Sequence, residues 1–182
     1  KMQWVNFGGG HHITRPGYAV ETLEHCIARA QNAWGVTVYL EPGEACALNA
    51  GYLLTRVLDV VQNGGTTVAI LDASAACHMP DVIEMPYRPP LLFAGDAGQK
   101  PCTVRLAGPT CLAGDVIGDY SFDAVPCAGD LLVFGDMAIY TTCKNNTFNG
   151  MPLPAICVRD EAGDVRELVK FGYRDFKARL GR

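Results

Sequence analysis

The sequence predicts an α/β segment followed by a larger all-β region. The first 47 residues contain two short apolar runs separated by a stretch of helical periodicity, which is typical of a strand–helix–strand unit. From about residue 48 onward, runs of apolar and β-branched residues alternate with Gly, Asn and Pro turns, which indicates strands. We therefore predict one domain at residues 1–47 and a second at residues 48–182.

The first segment is predicted to be a right-handed βαβ unit. The apolar run 4–7 indicates one strand, and the run 36–40, rich in β-branched and aromatic residues, indicates a second, buried strand. Residues 17–34 repeat apolar side chains at helical spacing, with Pro16 near the start and Gly35 just past the end. Parallel strands joined by a helix almost always cross over in the right-handed sense, which fixes the predicted handedness.

The second segment is predicted to be an all-β domain that ends in a short helix. Residues 52–61 and 66–71 flank the turn Asn63-Gly64-Gly65, a pattern typical of a hairpin. A proline-rich loop follows at residues 80–90. The remaining predicted strands are 102–106, 131–134, 155–159 and 165–170, of which the last two form a hairpin.

Composition excludes several classes of protein. Hydrophobic residues make up 49% of the 182 residues and charged residues 19%, and no apolar run approaches the roughly 20 residues of a membrane-spanning helix. The net charge of −4 argues against nucleic-acid binding, which usually needs a basic surface, and suits a polyamine-like cationic ligand. We therefore predict a cytoplasmic protein that binds neither a membrane nor nucleic acid.

The eight cysteines are predicted to be buried free thiols. The sequence contains no Cys-x-x-Cys pair, and the four histidines show no ligand spacing with the cysteines. Cysteines scattered along a chain of this kind are typical of small apolar core residues. Neither a bound metal ion nor a disulfide framework is expected.

Two motifs in the first segment favour a phosphate-bearing ligand. The triplet Gly8-Gly9-Gly10 follows a predicted strand, and backbone N–H groups without neighbouring Cβ atoms can approach a phosphate closely. Glu41 follows the next strand, just before Pro42-Gly43, at the end where acidic side chains of a β/α barrel point into the active site. Each motif also has a simpler interpretation, a flexible turn for the glycines and a solvated strand-end acid for Glu41.

A third motif, Gly108-Pro109-Thr110-Cys111 with Asp115, completes a resemblance to the alanine-racemase-like (fold type III) pyridoxal-phosphate decarboxylases. The resemblance implies the last β/α units of a TIM-type barrel, followed by a C-terminal β-barrel or sandwich domain. It implies that Gly8, Gly9 and Gly10 hold the cofactor phosphate and that Glu41 pairs with the pyridine nitrogen. The other implied roles are catalysis by Cys111, binding of a substrate amine by Asp115, and a phosphate contact by Tyr140.

Further residues resemble the carboxynorspermidine decarboxylase branch of this family. The segment His11-His12-Ile13-Thr14 follows the glycines, and Glu44 stands where ornithine and diaminopimelate decarboxylases carry a phosphate-binding arginine. The branch implies decarboxylation of carboxynorspermidine or carboxyspermidine, with Asp72 and His12 as additional substrate-binding candidates and His11 or His12 as a substitute phosphate donor. A diaminopimelate or ornithine decarboxylase and a non-catalytic regulatory homologue remain as alternatives.

Length implies that the complete enzyme needs more than this chain. A β/α barrel takes roughly 250 residues, so 182 residues are too few for a barrel and a β domain together. The resemblance places the Schiff-base lysine in an N-terminal half outside this chain, and none of the five lysines present is assigned to that role. It also implies a homodimer with shared active sites and a strand donated to the β domain by the N-terminal half.

Overall fold

The computed structural model describes residues 1–181 and divides into two compact units, one from Lys1 to Gly51 and one from Tyr52 onward. The first unit contains two strands and two helices. They are β1 (Trp4–Asn6), α1 (Val20–Trp34), β2 (Thr37–Tyr39) and α2 (Gly43–Ala47). Strands β1 and β2 pair in parallel, with Val5 opposite Val38, which confirms the predicted strand–helix–strand order.

Helix α1 is three residues shorter at its start than predicted. Gly17 has a φ of 81°, outside the helical region, and the helix begins only at Val20. Its end lies where predicted, because Gly35 adopts the left-handed conformation and its N–H donates to the carbonyl oxygen of Gln31. A glycine reaches this backbone conformation without the steric cost that a side chain would add.

The predicted burial of the run 36–40 is found only in part, at Val36, which is 7% exposed. Thr37 and Tyr39 are exposed, and Val38 is half-buried. In the described residues β2 has a single neighbouring strand, and a strand is buried throughout only when both faces of its sheet are covered.

The second unit is built on a curled, mixed six-stranded sheet. Its spatial order is β5-β7-β6-β4-β3-β8, and all neighbours are antiparallel except β4 and β6, which are parallel. The strands are β3 (Leu53–Asn63), β4 (Thr66–Leu71), β5 (Gly95–Asp96), β6 (Cys102–Ala107), β7 (Val116–Phe122) and β8 (Leu131–Phe134). The predicted hairpin of β3 and β4 and the predicted strands β6 and β8 are confirmed.

Strand β7 was not predicted, and the reason lies in its composition. Gly118 and Asp119 stand in its middle, and both residue types are depleted in strands. Tertiary pairing compensates, because the Asp119 carboxylate accepts hydrogen bonds of 2.7 and 2.9 Å from the Arg105 guanidinium on β6, directly opposite. This pair also lowers the pKa of Asp119 through its hydrogen bond to Arg105.

The second unit is not purely β, which corrects the prediction. Short helices interrupt it in the connections that follow β4 and β8. They are α3 (Ala75–His78), α4 (Asp81–Glu84), α5 (Tyr140–Cys143) and the 3₁₀ turn Phe148–Gly150. None of the described helices is long and apolar enough to cross a membrane.

One face of the six-stranded sheet carries the core of the second unit. Buried side chains from β3, β4, β6, β7 and β8 meet there, with Tyr120 and Phe134 in an edge-on ring contact at 6.1 Å. A separate hairpin, β9 (Ile156–Arg159) with β10 (Val165–Val169), and helix α6 (Tyr173–Arg179) follow. Every residue of both hairpin strands is exposed. An isolated two-stranded sheet is only marginally stable, so packing within the described residues stabilises this hairpin little.

Candidate active site

The glycine loop of the first unit offers two unpaired backbone donors. Gly8 and Gly10 have φ values of 76° and 78°, which a residue with a side chain rarely adopts. The N–H of Gly8 donates to Asn6 Oδ1 at 2.8 Å, whereas the N–H groups of Gly9 and Gly10 donate to no described residue. Gly9 and Gly10 are therefore the residues of the triplet whose amides can bind an anion.

Glu41 is attached to the same loop. Its N–H donates to the carbonyl oxygen of Gly8 at 2.9 Å, and its Oε1 accepts a hydrogen bond from Asn6 Nδ2. A Cβ atom on Gly9 would lie 3.0 Å from the Glu41 carbonyl oxygen, so a glycine allows this close approach. Glu41 Oε2 accepts nothing from the described residues, and Glu41 lines a cleft of 440 Å³ together with Trp4, Asn6, Tyr39 and Leu40.

Glu44 belongs to a charged cluster that the sequence only partly indicated. Its Oε1 lies 2.9 Å from Arg15 Nη2 and 3.2 Å from His12 Nδ1. His12 was among the predicted site residues, whereas Arg15, five residues after Gly10, was not. Glu44 is thus paired with an arginine from another part of the unit.

In the second unit, the Gly-Pro-x-Cys motif and Asp115 form one closed loop. The N–H of Gly108 donates to the carbonyl oxygen of Asp115 at 2.8 Å, which joins the ends of the loop. A Cβ atom on Gly108 would lie only 2.1 Å from Asp115 Oδ2, so glycine is required at this position. Thr110 Oγ1 donates to Asp115 Oδ2 at 2.7 Å. The motif residues therefore hold the loop shape, and Cys111 stands exposed on it.

Asp115 is a buried hydrogen-bond centre, which argues against its predicted contact with a substrate amine. The residue is 3% exposed. Its two oxygens accept from Ser74 Oγ at 2.9 Å, and further bonds come from the N–H of Ala76 and from Thr110. A substrate ammonium would have to displace these donors, and a buried donor left unpaired costs about 1–3 kcal/mol.

Cys111 is supported from a third segment. Its N–H donates to Asn149 Oδ1 at 2.9 Å, and Asn149 itself adopts a left-handed conformation with φ 55°, which Asn tolerates better than most residues. The Asn146 side-chain amide donates to the carbonyl oxygen of Ala76 at 2.7 Å. The segments around Ser74, Cys111 and Asn149 are therefore joined by hydrogen bonds.

His78 lies beside this centre in a fixed neutral form. Its Nδ1 accepts from the N–H of Ser74 at 3.1 Å, so Nε2 carries the proton and donates to the carbonyl oxygen of Pro152 at 3.0 Å. Burial lowers the pKa of His78 and raises the pKa of the neighbouring Cys77 thiol. Both groups are uncharged near neutral pH and serve the packing of the loop.

Asp72 and Tyr140, the other two predicted site residues of this unit, are exposed. Asp72 Oδ1 accepts from Thr55 Oγ1 at 2.6 Å and from the N–H of Arg56, while Oδ2 accepts nothing from the described residues. The Tyr140 ring lies 4.9 Å from Lys144 Nζ, and its hydroxyl has no hydrogen bond to a described residue. Both side chains retain a free polar atom for a ligand.

The cysteines are free, but most are not buried as predicted. Cys77 alone is buried, Cys26 and Cys102 are half-buried, and the other five are exposed. The exposed ones stand on loops, on short helices or on the uncovered hairpin, where no second layer packs over them. Within residues 1–181 no group of His, Cys, Asp or Glu side chains is arranged to hold a metal ion.

Replacing Asp115 by Ala is expected to lower the free energy of unfolding by about 3 kcal/mol or more, because several buried donors lose their acceptor. Urea unfolding of this chain measures the effect. The control is Asp164→Ala, since Asp164 is exposed and its carboxylate accepts nothing from the described residues, and its loss is expected to stay within about 0.5 kcal/mol. Equal stability of the two variants would contradict the structural role of Asp115.

Three comparisons with known proteins gave related results. Residues 18–138 match the family described as pyridoxal-dependent decarboxylase, C-terminal sheet domain. The chain is 43% identical to carboxynorspermidine/carboxyspermidine decarboxylase of Campylobacter jejuni over 98% of its own length and 50% of that protein. It is 41% identical to carboxyaminopropylagmatine decarboxylase of Synechocystis over its full length and 47% of that protein.

A solved structure shows the same fold. The crystal structure of carboxynorspermidine decarboxylase complexed with norspermidine from Campylobacter jejuni superimposes with a TM-score of 0.85 at 43% identity, over 98% of this chain and 51% of the other. The chain spans about half the length of the curated relatives it matches. Diaminopimelate decarboxylase of Deinococcus radiodurans is more distant, at 28% identity over 83% of this chain.

Proposed function

We propose that this chain, which belongs to the pyridoxal-dependent decarboxylases, is the C-terminal portion of a longer enzyme. That enzyme converts carboxynorspermidine to norspermidine, or carboxyspermidine to spermidine. Residues 1–47 then complete a TIM-type barrel, and residues 48–182 form the C-terminal β domain. The Campylobacter jejuni relative, whose crystal structure contains norspermidine, supports the choice of substrate class.

The observation that carries the proposal is the arrangement around Gly8. Two unpaired N–H groups, those of Gly9 and Gly10, and a carboxylate with one free oxygen, that of Glu41, are held together by hydrogen bonds through Gly8. Pyridoxal 5′-phosphate presents a phosphate and, on its ring, a nitrogen that carries a proton. The donor pair suits the phosphate and the carboxylate suits the ring nitrogen, so the residues present fit this cofactor.

The chemistry divides between the cofactor and the chain. When bound, pyridoxal phosphate would supply an acceptor for the electron pair that remains when CO₂ leaves, as long as its ring nitrogen is protonated. Glu41 keeps that proton in place, because an adjacent negative charge raises the pKa of the ring nitrogen. Cys111, exposed on a loop fixed by Asp115, Thr110 and Asn149, then donates a proton to the α-carbon of the substrate.

Other parts of the enzyme are supplied from outside this chain. The Schiff-base lysine and the remaining barrel strands come from an N-terminal half, which also donates a strand to the β domain. Cys111 serves the active site of a partner subunit, so the proposed enzyme is a homodimer with shared sites. Its proposed location is the cytoplasm. Tyr140 is the residue of this unit that contacts the cofactor phosphate. The exposed hydroxyl of Tyr140 and the uncovered β9–β10 hairpin support these roles.

Asp72 replaces Asp115 as the proposed acid for a substrate amine. It is exposed and keeps a free oxygen, whereas Asp115 is buried and fully used. In the first unit His12, whose Nδ1 lies 3.2 Å from Glu44 Oε1, is the proposed substrate-binding residue. A second candidate substrate is carboxyaminopropylagmatine, because the Synechocystis relative that carries this name is nearly as similar as the Campylobacter enzyme.

A competing-substrate assay on the enzyme completed with its N-terminal half tests the proposal. We expect carboxynorspermidine or carboxyspermidine to exceed ornithine and diaminopimelate by at least about 10²-fold in kcat/KM, because a shorter substrate leaves acidic groups of the site unpaired. A preference for carboxyaminopropylagmatine would select the second candidate. Efficient turnover of diaminopimelate or ornithine would contradict both, and no turnover of any substrate would favour a non-catalytic homologue.

A further inference from the structure

We propose that Asn6 is a positioning residue that holds the Glu41 carboxylate in register with the glycine loop. The inference rests on the proposed function, because Glu41 has a catalytic role only if the cofactor binds here. Asn6 was not among the residues that the sequence motifs singled out. It is the last residue of β1 and stands immediately before Phe7 and the glycine triplet.

The side-chain amide of Asn6 makes two hydrogen bonds in opposite directions. Its Oδ1 accepts from the N–H of Gly8 at 2.8 Å, and its Nδ2 donates to Glu41 Oε1. Only one orientation of the amide satisfies both neighbours, because an N–H must meet a carbonyl oxygen and a carboxylate must meet an NH₂ group. The two bonds therefore fix the amide, and the amide fixes the carboxylate.

This arrangement determines which atoms remain for the cofactor. Glu41 Oε1 is occupied by Asn6, so Oε2 is the oxygen that can accept a proton-bearing nitrogen. The N–H of Gly8 is occupied as well, which leaves the amides of Gly9 and Gly10 for the phosphate. Asn6 thus fixes the position of Glu41 Oε2 relative to the amides of Gly9 and Gly10.

Without Asn6, the Glu41 side chain has no other described hydrogen bond to restrain it. The backbone of Glu41 stays attached through its N–H to the Gly8 carbonyl oxygen, so the fold of the loop does not depend on the amide alone. Rotation of the carboxylate would weaken the contact with the ring nitrogen while leaving the phosphate donors in place. The expected defect is therefore in turnover more than in cofactor binding.

A double-mutant cycle in the completed enzyme separates this role from a general structural one. We expect Asn6→Ala to lower kcat by about 10–100-fold, as loss of a group that orients a functional side chain typically does. The cofactor Kd should rise by a smaller factor than the factor by which kcat falls. In a Glu41→Gln background, Asn6→Ala should change kcat by less than about threefold, because the residue acts through Glu41. Asn32→Ala, on the exposed side of α1, is the matched control.

Two readouts do not depend on activity. With ¹⁵N-labelled pyridoxal phosphate, the ring-nitrogen resonance of Asn6→Ala should move toward that of Glu41→Gln, while Asn32→Ala keeps the wild-type value. In the completed enzyme without cofactor, the Gly8 amide should exchange faster with solvent after Asn6→Ala, since it loses its acceptor. Asn6→Leu, which has nearly the shape of Asn, repeats both measurements with less risk to folding.

The possible failures are distinguishable. A Glu41→Gln variant with wild-type turnover would overturn the proposed function of Glu41 itself. A large effect of Glu41→Gln together with an additive effect of Asn6→Ala would overturn only the role of Asn6. Unfolding of both Asn6 variants would assign Asn6 to the fold and likewise overturn the proposal.

Discussion

Glu41→Gln is expected to lower kcat of the completed enzyme by about 10²–10³-fold or more, the usual cost of removing one preorganised electrostatic contact. Gln keeps the shape of Glu and can still accept a hydrogen bond from Asn6, so the glycine loop should stay intact. What it lacks is the negative charge that, in the proposed mechanism, keeps the ring nitrogen protonated. Cofactor retention should change far less than kcat, because the proposed phosphate donors on Gly9 and Gly10 remain.

Steady-state kinetics and cofactor titration on the same preparation measure both quantities. The control is Glu21→Gln in the first turn of α1, an exposed glutamate in the same unit with no described side-chain partner. Equal turnover of the two variants would remove Glu41 from the mechanism. A parallel loss of kcat and cofactor binding would show that the charge serves the loop rather than the ring.

Local signals account for the parts of the fold that the sequence predicted well. Gly35 ends α1 because a left-handed residue follows the last turn, and Asn63-Gly64-Gly65 reverses the chain between β3 and β4. Each signal lies within a few residues of the structure it determines. The β9–β10 hairpin around Gly163, with φ 94°, is predictable for the same reason.

Non-local contacts account for what was missed. Strand β7 is stabilised by the pairing of Asp119 with Arg105, 14 residues away, which no local propensity reveals. Asp115 presented the same difficulty at the candidate site. Its spacing from Cys111 was visible in the sequence, but its burial depends on Ser74, 41 residues distant, so the sequence could not show that its oxygens already accept hydrogen bonds within the fold.

Asn6 is the missed residue that the sequence could have indicated. An Asn two residues before a glycine often accepts from the backbone N–H at that distance, as Asn6 does from Gly8. Its second bond, to Glu41, joins positions 35 residues apart and follows only from the parallel pairing of β1 and β2. The contact of Arg15 with Glu44 likewise depends on the fold, because the two residues are 29 positions apart in the sequence.

Cys111→Ala is expected to slow productive decarboxylation by about 10²–10⁴-fold, the typical cost of losing a general acid. The thiol is exposed, whereas the atoms around it are used to hold the loop: Thr110 and Asp115 close it, and Asn149 binds the Cys111 N–H. Alanine preserves all of these backbone contacts. The loss should therefore appear in turnover and not in the urea unfolding of this chain.

Cys157→Ala provides the matched control, because Cys157 is also an exposed free thiol and stands on the uncovered strand β9. It should leave kcat nearly unchanged in the completed enzyme. Product analysis adds a second criterion, since a proton that no longer comes from Cys111 can reach a different carbon and yield a carbonyl by-product with Cys111→Ala alone. If the two variants give the same rate and the same products, the proton donor is not Cys111, and the closed loop from Gly108 to Asp115 presents that thiol for some purpose other than protonation.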